Sequence, residues 1–171
     1  MKIIGCSKID GNVVMVLKGD SSLLVNRKPF FVPDWSDDIR MVPCEVLRVS
    51  RLGKHISSAF AQRYFDAVAS GLNMCAWDRV AEHDAVRGWA FDYSMVVGSF
   101  LSVDTPVWES MNVSCGVVSR EEAISLVSDV MTIRQGDLIF IDRDVAPRKL
   151  VREEVIMDHA LGQETLYCKI K

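Results

Sequence analysis

The chain has 171 residues, 49% of them hydrophobic and 25% charged. That suits one soluble globular domain with a real core, and it excludes a disordered, collagenous or low-complexity protein. Lysine and arginine number 20 against 23 aspartates and glutamates, a net charge of −3. No basic field is available to meet a phosphate backbone, so nucleic acid is not an expected partner.

The longest uncharged runs, 67–77 and 93–103, have 11 residues each. A bilayer span needs about 20 apolar residues, so no membrane partner is expected. The start, Met1-Lys2-Ile3-Ile4-Gly5, lacks the apolar core of a signal peptide. Cys6, Cys44, Cys75, Cys115 and Cys168 are odd in number, widely spaced and contain no CxxC. This usage points to reduced, buried thiols in a cytoplasm rather than to disulfides or a zinc site. His55, His83 and His159 form no pair with metal-ligand spacing.

Taken in chain order, most segments read as strands. Lys2–Cys6 and Val13–Leu17 flank Asp10-Gly11, a hairpin signal, because a type I′ turn needs positive φ at both central residues. Short strands are predicted at Leu23–Val25 and Phe30–Val32, and a longer one at Val42–Val49, weakened by Pro43. Arg51-Leu52-Gly53-Lys54 turns the chain, and Ser58–Tyr64 reads as a short helix. Asp66–Ala76 and Gly98–Val103 read as strands. Ser119 and Glu122 form a capping-box pattern ahead of Ala123, Ile124, Val127, Val130 and Met131 at helical spacing. Gln135-Gly136-Asp137 turns into a strand at Leu138–Asp142, and late strands are predicted at Leu150–Met157 and Leu166–Ile170.

Five stretches, in order and with matching spacing, carry a resemblance. They are Asn26–Asp34, Arg51–Lys54 after a strand, Gly71-Leu72-Asn73-Met74-Cys75-Ala76-Trp77-Asp78, Ala90-Phe91-Asp92 with Gly98 beyond it, and Met131–Phe140. Together they resemble the fumarylacetoacetate hydrolase (FAH) family, in particular its small single-domain bacterial members. The resemblance implies a mixed α/β, strand-rich fold: an FAH-like mixed β-sheet roll with one main helix, spanning 1–171 as one domain. The family's N-terminal lid would be shortened over 1–12 and replaced by the Asp10-Gly11 hairpin.

The resemblance also implies chemistry. The family's hydrolases, isomerases and decarboxylases act on small 2-oxo or β-dicarbonyl acids. They hold Mg²⁺ or Mn²⁺ through a Glu-x-Glu on one strand and an Asp on another, since hard cations want anionic oxygen ligands. At those positions this chain has Val42, Cys44 and Asn73. Glu45 is one residue out of phase and is expected to face the other side of its strand. Trp77 and Trp89 stand where the family has Arg and Lys, and Ile141-Asp142-Arg143-Asp144 replaces an anion-binding loop.

These substitutions predict a pseudoenzyme with no bound metal cofactor and a structural or regulatory role. Its expected partner is a second copy of itself or an active relative. The remnant pocket would comprise Lys18, Val42, Cys44, Asn73, Asp78, Trp89 and Asp92. On this reading Cys44 fills space, Asp78 and Asp92 brace loops, and Trp77 and Trp89 plug the emptied cavity. Two other readings stand beside it. One is an altered, metal-free reaction using Cys44, Asp78 or Lys18. The other is a small-molecule-binding module built on Trp77, Trp89 and Trp108, with its ligand unknown.

Overall fold

The computed structural model describes residues 1–105 and 116–171, so Trp108 and Cys115 lie outside the described residues. Its strands are β1 (Ile3–Ile9), β2 (Asn12–Lys18), β3 (Leu23–Val25), β4 (Ile39–Val49), β5 (Phe65–Ala76), β6 (Met95–Val97), β7 (Leu101–Ser102), β8 (Leu138–Asp142), β9 (Arg148–Lys149), β10 (Val155–Ala160) and β11 (Gln163–Lys169). The helices are α1 (Trp77–Ala81), α2 (Ala85–Trp89) and α3 (Arg120–Val130), with a 3₁₀ segment at Ser58–Tyr64.

A nine-stranded mixed sheet runs β2-β1-β8-β4-β5-β6-β3, with β7 on β5 and β9 on β4; β10 and β11 form a separate hairpin. The β1–β8 and β3–β6 pairs are parallel, and the other ladders are antiparallel. Asp10-Gly11 turns the first hairpin at φ 49° and 81°, and Leu161-Gly162 turns the last at 47° and 78°, the signs a type I′ turn requires. Pro43 is tolerated inside β4 for a positional reason. Its carbonyl accepts from the Arg143 amide, between the stretches where β8 and β9 pair with β4. Its missing N–H points into that same gap, where no ladder asks for a donor.

The sheet buries both faces. On one, α3 lays Ala123, Ile124 and Val127 onto Ile4, Leu47, Val49, Val68 and Ile139. Ser119 caps that helix by accepting from the Glu122 amide at 3.1 Å, and Met131 ends it in an extended conformation. The other face carries Ile3, Val46, Met95 and Phe140. The β10–β11 hairpin covers Met41, Leu72 and Met74 with Leu166 and Cys168.

Three predicted strands differ. Phe30–Val32 makes only an isolated bridge, Phe30 to Ile170, because the segment runs alongside the C-terminal residues without a continuous ladder. Within Gly98–Val103 only Leu101–Ser102 is strand, while Met95–Val97, just before it, is a strand that the sequence reading passed over. Gly98 itself is where backbone passes backbone, since a Cβ there would lie 2.3 Å from the Thr165 carbonyl oxygen. The Leu150–Met157 segment begins its strand only at Val155. None of the helices in the described residues is long and apolar enough to cross a membrane. Cys6, Cys44, Cys75 and Cys168 are free thiols and buried.

Candidate functional site

Sheet register assembles the site. Val42 on β4 lies opposite Asn73 on β5, and Cys44 lies between Gly71 on β5 and Asp142 on β8. Cross-strand partners share a face, so Val42, Cys44, Asn73 and Asp142 all project to the side away from α3. The β1–β8 pairing of Cys6 with Ile141 brings the next residue, Ser7, beside Asp142.

Asp142 is the hub. It is 1% exposed. The Ser7 hydroxyl donates to its Oδ2 at 2.5 Å, and the Asn73 amide donates to Oδ1 and Oδ2 at 3.2 and 2.9 Å. Burial pushes the carboxyl up to about 7, against the pull of the Ser7 and Asn73 hydrogen bonds and the charge of Lys18. Asn73 Oδ1 is buried with no hydrogen-bond partner.

Lys18 supplies the interior's cation. It is the last residue of β2 and 0% exposed. Its Nζ donates to the carbonyls of Trp89 at 2.6 Å, Met74 at 3.1 Å and Ser94 at 3.1 Å, with the Ser94 hydroxyl at 3.0 Å. Burial pulls the ammonium down to about 7, opposed by Cys75, Asp142 and Cys44. Three carbonyls can use all three ammonium protons, so this cage suits the charged form.

Cys44 is sealed in. A Cβ on Gly71 would lie 2.9 Å from its sulfur and 2.7 Å from Val46 Cγ2, so Cys44 and Val46 already fill the space above that glycine. Burial raises the Cys44 thiol well above its ordinary value, and it pushes Cys75 up to about 12. Neither thiol is placed to become a thiolate nucleophile. Glu45 faces the other side, as its phase predicts. Arg120 Nε donates to Glu45 Oε2 at 2.8 Å and its Nη2 to Oε1. Burial raises the Glu45 carboxyl, with Arg120 drawing it back.

Of the predicted pocket, Lys18, Val42, Cys44, Asn73 and Trp89 come together on this side of the sheet, and Asp78 and Asp92 do not. Asp78 opens α1 and accepts from the Ser36 hydroxyl at 2.6 Å and the Arg79 amide at 3.0 Å. Burial pushes Asp78 up, but these hydrogen bonds outweigh it and hold the carboxyl below its usual range. Asp92 lies on a surface groove instead. Trp89 is buried in the same apolar cluster as Cys44. Trp77 is only half-buried, with the Arg40 guanidinium 5.0 Å from its ring centre, so it flanks the cluster rather than filling it. His55 and His159 are exposed, and His83 occupies a turn at φ 61°.

The sequence placed Asp142 at the end of a predicted strand but left it out of the pocket, because 141–144 was set against the family's anion-binding loop. The signal was present, because Leu138, Phe140 and Asp142 alternate and must share a face in β8. Asp144 does lie at the surface, where it pairs with Lys8 at 2.8 Å.

The residues here do not fit a divalent cation. The donors are one carboxylate already bonded to Ser7 and Asn73, one amide and one protonated thiol, with a buried ammonium nearby. Among the described residues no three His, Cys, Asp or Glu side chains converge on one point. A hard dication needs several anionic oxygens.

No family model matches the sequence, and no curated protein does. Solved structures do match in fold. Fumarylpyruvate hydrolase from Pseudomonas aeruginosa, in complex with Mn²⁺ and pyruvate, superposes with a TM-score of 0.84 at 15% identity, over 99% of this chain and 89% of that one. The 5-carboxymethyl-2-hydroxymuconate delta-isomerase of Mycobacterium smegmatis gives 0.80 at 16% identity, over 99% and 78%. A Yersinia pestis CO92 protein assigned provisionally to the fumarylacetoacetate hydrolase family gives 0.80 at 15% identity, over 99% and 92%. The chain therefore has an FAH-like fold, the fold of these hydrolases and isomerases.

Proposed function

We propose that this chain is an FAH-fold pseudoenzyme: it keeps the scaffold, lacks metal-dependent hydrolase or isomerase activity, and serves a structural or regulatory role in the cytoplasm. One observation carries the reading. The positions that the resemblance assigns to three metal-binding carboxylates are Val42, Cys44 and Asn73, and the carboxylate beside them among the described residues, Asp142, is engaged by Ser7 and Asn73. Each lost carboxylate–dication contact forfeits several kcal/mol at an effective dielectric of ~20. The Lys18 ammonium adds repulsion to that loss. Its expected partner is a second copy of the chain or an active relative with the same fold.

Metal-free chemistry fares no better. Cys44 is buried and protonated, and the Lys18 nitrogen is tied to carbonyl oxygens. A turnover screen tests the proposal, using acylpyruvates and oxaloacetate with the purified chain, in Mn²⁺ and again in EDTA. The expected rate equals buffer in both. Turnover above buffer in Mn²⁺, or turnover in EDTA that Cys44→Ser or Lys18→Met abolishes, would overturn it.

A further inference from the structure

The groove that holds Asp92 is separate from the buried cluster. Its volume is about 480 Å³, within the range of small-molecule sites. Four aromatic residues line it, Phe31, Trp35, Phe91 and Tyr93, with Asp92 and Arg87 beside them. The Trp35 and Phe91 rings meet edge to face, with centres 5.4 Å apart. Phe31 and Tyr93 are 69% and 55% exposed. So many rings left in water around one concavity call for an explanation beyond core packing.

Two further observations narrow the occupant. Tyr93 sits at φ 62°, a left-handed backbone that an aromatic residue rarely adopts, and its amide is anchored on the Ser21 carbonyl at 3.1 Å. Strain of this kind tends to be held where a side chain must be presented. Charge points the same way. The Arg87 guanidinium is engaged by Asp84, 2.6 Å from Nε to Oδ2, with the Arg87 amide on Oδ1 at 3.0 Å. Asp92 accepts no hydrogen bond and makes no ion pair with any described residue. The groove therefore offers aromatic rings and one carboxylate that has no partner among the described residues. Aromatic faces attract cations, best those whose charge is spread over methyl groups and weakly hydrated.

We propose that this groove binds a small soluble organic cation carrying a methylated ammonium group, the rings enclosing the methyl shell and Asp92 meeting the charge. The site is independent of the buried cluster, so it stands whether or not the fold retains catalysis.

Calorimetric titration of the full chain with choline tests it, with 3,3-dimethyl-1-butanol as the uncharged carbon analogue. Choline is expected to bind one to one, with the analogue at least roughly tenfold weaker. Asp92→Asn and Trp35→Ala should each weaken choline by about tenfold, while Trp35→Phe, which keeps a ring, should weaken it less. Thermal melts of each variant establish that it is folded, and Tyr93→Ala substitutes for Trp35→Ala if that variant is not. Equal binding of choline and the analogue, no effect of Asp92→Asn, or no choline binding in the millimolar range would each overturn the proposal.

Discussion

The Asn73 side chain donates to both carboxylate oxygens of Asp142, at 3.2 and 2.9 Å, across the interior of a nine-stranded sheet. The amide thus meets the acid at a position that the resemblance assigns to a metal ligand. The contact is one-sided, since Asn73 Oδ1 has no partner.

That asymmetry separates two substitutions. Asp142→Ala leaves the Ser7 hydroxyl and the Asn73 amide without an acceptor, and each such loss costs ~1–3 kcal/mol. We expect about 3 kcal/mol of lost stability in denaturant unfolding. Asp142→Asn can still accept from Ser7. Its one carbonyl oxygen can also accept from the Asn73 amide, so its cost should be smaller than that of Asp142→Ala, about 1–2 kcal/mol.

Acidity follows from the same contact. The Asp142 carboxyl is raised from 3.8 to about 7 in the fold. The stability it confers is therefore fully present below 3.8 and is lost as pH rises through about 7. Lys18 is lowered from 10.5 to about 7, so its contribution is fully present above 10.5 and is lost as pH falls through about 7. Between pH 4.5 and 8, the stability of the native sequence relative to Asp142→Asn should fall as pH rises. Unfolding of both proteins at matched pH values measures this, and a difference that is flat or increases with pH would refute the assignment.

Cys44 should behave as filling rather than as a reagent. At pH 8, iodoacetamide should leave Cys44 unmodified in the native protein and alkylate it after denaturation, as read by peptide mass mapping. Gly71→Ala would drive a methyl into the Cys44 sulfur, Val46 and the Val96 carbonyl, which lie 2.9, 2.7 and 3.0 Å away. Overpacking of this kind costs ~1–3 kcal/mol. An unchanged Gly71→Ala protein would mean that open space remains there.

The parts legible in sequence were those set by local chemistry. Asp10-Gly11 fixed a turn, Ser119 a helix start, and the period of two in 42–49 the phase that puts Glu45 on the face opposite Val42 and Cys44. Trp89 was assigned to the pocket because it stands where the resembled family has a Lys, and a ring of that size fills space once buried. What escaped was set by distant partners. Asp142 became interior only through β1, which supplies Ser7, and β5, which supplies Asn73. The helices α1 and α2 are five residues each, too short for a periodic signal, and tertiary contacts hold them. Asp92 was assigned to the pocket through the resemblance carried by Ala90-Phe91-Asp92, but the turn through Tyr93 carries it to the surface.

Calorimetric titration of the purified chain with Mn²⁺ tests the proposed loss of a dication site most directly. Heats no larger than those of dilution are expected, with no change in melting temperature when Mn²⁺ is added or EDTA removes trace metal. Stoichiometric binding at micromolar affinity, weakened by Asp142→Asn, would contradict it.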